Sequence, residues 1–267
     1  PMTVTSSDYR FIIVEQFQDV GIDPGPVLIE PESKNTASAI LAAALYAMAH
    51  DENAVLLVAP SDHIIPDTEA FHAAVSLGLN DVLDGKIVTF GITPTRPDTG
   101  YGYMSIANTI KHKPAAVIKF IEKPNKATAK SMIQSGSYLW NAGIFLLRAK
   151  DLIQAFEEFA PTFIAPVQRS ITNGKTDLGF FRLDAKAWSE CDNLSIDYAI
   201  MEHAPNLVAV PFVSGWSDLG GWDAVWQEMG PDSEGNVVSK NAHAIDCKNI
   251  LLRSESPNQE LVGLGLE

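Results

Sequence analysis

Residues 54–63 read AVLLVAPSDH. The unbroken apolar run Ala54–Ala59 between polar neighbours predicts a strand buried on both faces, with Ser61, Asp62 and His63 just beyond its carboxyl end. The pattern extends upstream. Pro1–Thr5 and Pro26–Glu30 read as strands, separated by a helix of about a dozen residues that Ser7 can cap and Gly21 ends. An Ala-rich helix, capped by Asn35 or Thr36, then leads into the 54–59 run. Downstream, a helix over Thr68–Val82 precedes a strand over Ile87–Ile92. Strands and helices alternating at this spacing predict an α/β fold: a mostly parallel central sheet with helices on both faces.

The middle of the chain changes character. Thr93–Tyr103 (TPTRPDTGYGY) carries two prolines and two glycines and is predicted as a loop of functional length. Strands are expected over Val117–Glu122, Tyr138–Leu147 and Leu207–Phe212. Helices are expected from the Asn125 cap to Gly136, over Asp151–Phe159 and over 196–203. After Trp226 the sequence becomes rich in Gly, Ser and Asn, with short strand-like pieces that predict a small β-rich tail.

Composition narrows the function. With 267 residues the chain forms one large domain or at most two small ones, and 46% hydrophobic content is enough for a sizeable core rather than a disordered chain. Against 33 acidic residues stand 19 Lys and Arg, a net charge of −14 that argues against nucleic acid or an anionic membrane as partner. Cys191 and Cys247 form no metal-binding spacing and read as free thiols of a reducing cytoplasm. The small-residue run Ala37–Ala49 is too short to span a bilayer, and no signal peptide opens the chain, so a soluble cytoplasmic protein is expected.

Ligands of such sheets bind beyond the strands' carboxyl ends. Asp62 there serves either as a turn residue or as a Mg²⁺ ligand, since Mg²⁺ usually takes only one or two protein carboxylates; His63 beside it reads as a structural hydrogen-bonding residue. Asp218, inside Gly215–Trp222 (GWSDLGGW), is presented from a turn that either anchors two tryptophans or brings backbone close to a ligand. Two separated aspartates converging on one metal would suit nucleotidyl or phosphoryl transfer. Glu122-Lys123-Pro124 ends a strand, where the lysine is either half of an exposed ion pair or a point charge for a phosphate. Glu30, Asn35 and Thr36 lie at the start of the Ala-rich helix, as caps or as contacts for an anion or base edge. Gly102 adds flexible backbone and Asn141 an amide able to read sugar hydroxyls. There is no GxSxG, HExxH or GxGxxG after a strand, so hydrolase and dinucleotide-oxidoreductase chemistry fall away.

In order, EPESKNTA, LLVAPSDH, TPTRPDTGYGY, FIEKPN, YLWNAGIF, SIDYAIMEH and GWSDLGGW resemble the mannose-1-phosphate guanylyltransferase (GDP-mannose pyrophosphorylase) family, over roughly residues 8–235. The resemblance implies a nucleotide-diphospho-sugar transferase domain over 1–230 and a short β-rich tail over 231–267. It implies GTP and mannose 1-phosphate as substrates and Mg²⁺ as cofactor, and it allows a homodimer. By motif, Asp62 and Asp218 become the metal ligands and Lys123 faces the sugar phosphate. Glu122 and Asn141 take the hexose hydroxyls, Gly102 offers backbone to the sugar, and Glu30, Asn35 and Thr36 lie near guanine. Asp197 of SIDY is a sugar-side candidate or a structural cap. The family usually has Arg where Lys34 stands, and it begins with a strand and a Gly-rich basic loop that this sequence lacks. The chain alone is therefore expected to be weakly active or inactive. Alternatives are another sugar-nucleotide pyrophosphorylase, or a non-catalytic sugar-nucleotide-binding fragment of a bifunctional isomerase–guanylyltransferase.

Overall fold

A computed structural model describes residues 1–107, 113–212 and 215–267. The chain divides into a larger unit, Pro1–Pro60 with Thr68–Ser214, and a smaller one, Ser61–Asp67 with Gly215–Glu267. The larger unit contains, in order, β1 (Thr3–Ser6), α1 (Arg10–Asp19), β2 (Val27–Glu30), α2 (Asn35–His50), β3 (Val55–Val58), α3 (Thr68–Leu83), β4 (Ile87–Ile92), β5 (Tyr103–Ile106) and β6 (Ala115–Ile121). It continues with α4 (Lys126–Ser135), β7 (Tyr138–Arg148), α5 (Ala149–Phe159), α6 (Ile164–Thr172), β8 (Lys175–Asp177), β9 (Phe180–Arg182), α7 (Ala185–Ser189) and β10 (Leu207–Phe212). A π-helical turn covers Asp197–Met201. The smaller unit holds α8 (Trp222–Glu228), β11 (Val237–Val238), β12 (Ala242–Ile245), β13 (Leu251–Leu252) and β14 (Leu261–Leu264).

The α/β class and the β-rich tail follow the expectation. In the six-stranded sheet, ordered β3-β7-β4-β10-β6-β5, helices cover both faces. Val88, Phe90 and Val210 turn toward α3, where Gly78 allows close approach: a Cβ there would lie 2.9 Å from Val88 Cγ1. Ile87, Leu147 and Ala209 turn the other way, into the core shared with α2 and α5. The pairing is more mixed than expected. Strands β3, β4, β5 and β10 share a direction, but β6 and β7 run the opposite way between them, so β4–β10 is the parallel ladder and the others are antiparallel. The 11-residue β7 is the cause, because it inserts between β3 and β4 and also borders β5.

A second sheet, β1-β2-β9-β8, is parallel except for the β8–β9 hairpin, whose turn residues Leu178 (φ 51°) and Gly179 (φ 85°) take the left-handed pair that tight hairpins need. In the smaller unit β11 pairs with β13 and β12 with β14, all parallel.

Three local expectations are corrected. The 54–59 strand is not buried on both faces. β3 sits at the edge of its sheet, with Leu56 and Val58 toward the core and Val55 and Leu57 40% and 45% exposed. Ser7 does not cap α1, since its hydroxyl accepts instead from the guanidinium groups of Arg10 and Arg182. Neither Asn35 nor Thr36 is the N-cap of α2, which is Lys34; Thr36 Oγ1 instead accepts from the Ile196 backbone N–H at 2.9 Å. By contrast Asn125 caps α4 through Thr128 N–H, and Gly136 closes it at φ 67°. Both cysteines are free and buried, and no helix among the described residues is long and apolar enough to cross a membrane.

Candidate functional site

In the larger unit, Gly102, Glu122, Lys123, Asn141 and Asp197 come together. β6 delivers Glu122 and Lys123, and Pro124 stops the ladder after them. Lys123 takes a left-handed φ of 46°, unusual for a side chain with a Cβ, and its N–H donates to Tyr101 O. The Lys123 ammonium stands 3.6 Å from Glu122 Oε1 and is about half exposed, while the Glu122 side chain is only 7% exposed. The Glu122 N–H donates to Glu202 Oε1 at 3.0 Å, but Glu122 Oε2 is buried and has no hydrogen-bond partner. Gly102 is needed beside it, because a Cβ there would lie 2.5 Å from Glu122 Oε2 and 3.0 Å from the Phe120 ring.

Asn141 enters from β7 at an irregularity. Thr89 of β4 faces Phe145 and Gly91 faces Asn141, so β4 advances two residues where β7 advances four. Such a bulge turns a side chain away from the regular alternation. The Asn141 N–H donates to Gly102 O at 2.8 Å, and its side-chain Nδ2 donates to Asp197 Oδ1 at 2.9 Å. Asp197 opens the π-helical turn, a helix form that concentrates at functional sites. Burial raises the Asp197 carboxyl above its ordinary value, against the stabilising effect of its own backbone, Lys123 and Asn141. Burial, and then the neighbouring Asp197, push Glu122 up to about 7. Two acidic groups, one amide and a rim cation thus stand together, with hydrogen-bonding groups inside and a positive charge at the edge.

The Glu122 shift has a consequence for stability. A carboxyl raised from 4.5 to about 7 binds more protons in the folded than in the unfolded chain, so its contribution is present at low pH and is lost as pH climbs through that window. Urea unfolding of Glu122→Gln should therefore be less pH-dependent than wild type between pH 5 and 8, with the variant gaining relative stability at pH 8. Parallel pH profiles for the two proteins would show that Glu122 titrates normally.

Asp62 and Asp218 both belong to the smaller unit. An isolated antiparallel bridge joins Ile64 to Ser217, with N–H to O distances of 2.8 and 3.1 Å, and the two aspartates flank it. His63 packs edge-on against Trp216 and accepts from its indole N–H at 3.3 Å, the structural bond expected of it. Burial lowers the His63 ring from its ordinary value, while Asp62 and Asp218 both act on it in the other direction. The turn after Asp218 is tight. Leu219 has φ 42°, Gly220 N–H donates to Asp218 Oδ1 at 3.3 Å, and a Cβ on Gly220 would lie 2.9 Å from Asp218 Oδ2. Among the described residues no group of three or more His, Cys, Asp or Glu could enclose a metal. Carboxylates are the donor type that Mg²⁺ takes, usually one or two from the protein with water completing the shell.

Near α2, burial raises the Glu30 carboxyl, and its Oε2 is buried without a hydrogen-bond partner. Asn35 is exposed at φ 63°, its Oδ1 accepting from Thr36 N–H. Thr36 ties this corner to Ile196, next to Asp197. Lys34 pairs with Glu32 at 3.2 Å and donates to Ser189 O. Sequence reasoning missed Thr89 and Glu202. A lone hydroxyl within the apolar strand IVTFGI was a usable signal for Thr89; nothing local marks Glu202.

A profile of the family described as nucleotidyl transferase matches residues 1–234. The chain is 41% identical over 249 residues to xanthan biosynthesis protein XanB of Xanthomonas campestris pv. campestris, covering 93% of the chain and 53% of that protein. It is 37% identical over 265 residues to a mannose-1-phosphate guanylyltransferase of Sinorhizobium fredii, covering 99% and 52%. The chain thus spans about half the length of the curated relatives it matches. Among solved structures, one described as mannose-1-phosphate geranyltransferase from Thermus thermophilus superposes with a TM-score of 0.82 at 27% identity, over 99% of this chain and 74% of that one.

Proposed function

Because the chain belongs to the nucleotidyl transferase family, we propose that it transfers the guanylyl group of GTP to mannose 1-phosphate, giving GDP-mannose and pyrophosphate. The observation that carries this reading is the cluster of Glu122, Asn141 and Asp197 with Lys123 at its rim, chemistry suited to a hexose bearing one phosphate. The name of the Sinorhizobium relative supports the same substrate pair. In the reaction, a phosphate oxygen of mannose 1-phosphate attacks the α-phosphorus of GTP in line. The new P–O bond forms as the bond to the bridging oxygen breaks, and pyrophosphate leaves with that electron pair. No side-chain nucleophile is required, so the protein contributes positioning and charge.

Lys123 holds the sugar phosphate, Glu122 and Asn141 take hexose hydroxyls, Gly102 offers backbone, and Asp197 supports the sugar side. Glu30, Asn35 and Thr36 line the side that takes guanine. Asp62 and Asp218 would hold Mg²⁺, which when bound neutralises charge on the phosphates. The catalytic domain is placed over 1–230 with the tail over 231–267, in a cytoplasmic protein able to form a homodimer. Calorimetric titration with GDP-mannose in Mg²⁺, with ADP-glucose as control, tests the reading. Selective binding of GDP-mannose is expected, and equal or preferential binding of ADP-glucose would refute the base and sugar assignment.

A further inference from the structure

Thr89 is fully buried in the middle of β4, and its hydroxyl lies 2.8 Å from Asn141 Oδ1 and 3.2 Å from Ile144 O. Gly143, at a left-handed φ of 68°, turns its own N–H onto the same Oδ1 at 3.1 Å. A carboxamide oxygen has two lone pairs, and here both are engaged. The other end of the amide is fixed as well, since Nδ2 donates to Asp197 Oδ1. Rotating the amide by half a turn would put Oδ1 against a carboxylate and an NH₂ group against the Gly143 N–H, two repulsive contacts in place of two bonds. The bulge in β7 is what brings all these groups within reach of one side chain.

We propose that Thr89 is a positioning residue that, together with the Gly143 N–H and Asp197, holds the Asn141 amide so that it offers a ligand one N–H donor and no acceptor. A hydroxyl placed there must accept from Asn141 and give its own proton to a neighbouring acid, Asp197 or Glu122. The cluster therefore selects a hydroxyl that both accepts and donates, and it discriminates against a deoxy or O-alkylated position. This selectivity rests on the hexose-phosphate reading given above; the locking of the amide does not.

The test uses the ¹⁵N-labelled 267-residue chain, with the Asn141 side-chain pair identified by its loss from the Asn141→Asp spectrum. Wild type and Thr89→Ser should show one sharp, exchange-protected amide pair. In Thr89→Val, which keeps the shape and removes the donor, the pair should shift and exchange about tenfold faster, the effect of one lost hydrogen bond. An Asn141 pair unchanged in Thr89→Val overturns the proposal. Should Thr89→Val not fold, Thr89→Ala carries the same test, because it removes the hydroxyl without setting a methyl against Ile144 O. In a second arm, mannose 1-phosphate should bind about tenfold more weakly to Thr89→Val than to Thr89→Ser. If the amide responds but mannose 1-phosphate binds none of the proteins, the positioning role stands and the hexose-phosphate reading fails.

Discussion

In the full-length protein, replacing Asp218 with Asn is expected to lower metal-dependent pyrophosphate release about 10³-fold, the scale of losing one preorganised charged group at a phosphoryl-transfer centre. The exchange is nearly isosteric. The amide oxygen can still accept from Gly220 N–H, and the Ile64–Ser217 bridge is made by backbone, so the turn should persist. What disappears is one of two negative charges that flank that bridge. GDP-mannose binding by the variant at saturating Mg²⁺ should then match that of wild type in EDTA. A variant that still binds GDP-mannose more tightly with Mg²⁺ than without it would remove Asp218 from the metal site.

The largest effect on stability is expected at Trp188. Its side chain is fully buried in the core that joins α2, α5 and β7, and its indole N–H donates to Glu32 O at 2.8 Å. Trp188→Ala should cost about 3–5 kcal/mol through lost burial and the cavity left behind. Trp188→Phe keeps most of the packing and strands the Glu32 carbonyl, so about 1–2 kcal/mol is expected. Domains of this size are stable by about 5–15 kcal/mol, so the alanine variant approaches the unfolding threshold. Urea midpoints for the three proteins give the comparison, and equal losses in Ala and Phe would mean that the hydrogen bond, rather than the packing, dominates. The loop that Trp188 secures runs directly into Asn35 and Thr36, so this core residue also sets where the start of α2 lies.

The sequence disclosed the elements whose signals are local. The strand at Ile87–Ile92, the strand at Leu207–Phe212 and the Asn125-to-Gly136 helix stand where hydrophobic runs, caps and glycine predict them. It misled where the outcome depends on distant partners. An apolar run such as AVLLVA reads alike in the centre and at the edge of a sheet, because only the neighbouring strand distinguishes the two. Likewise Thr36 was legible as a polar residue at a helix start, but its partner Ile196 is 160 residues away. The candidate residues themselves were found by motif, and their grouping into Glu122, Asn141 and Asp197 required the fold. Thr89 escaped because threonine is common in strands for its shape alone. Its hydroxyl acquires meaning only opposite a bulge that Gly143 creates.

The exposed flank of β3 bears on how the chain behaves in a crowded solution. Among the described residues β1 and β3 each end a sheet, and β3 shows Val55 and Leu57 to solvent beside unpaired backbone groups. An uncovered apolar edge of this kind is a template on which further strands can be added, from another molecule as readily as from the same one. Neither edge carries a proline or lysine within the strand to discourage such growth. Where such an edge is left open, repulsion between chains of net charge −14 opposes edge-to-edge stacking, and it weakens with added salt and as the carboxylates are protonated.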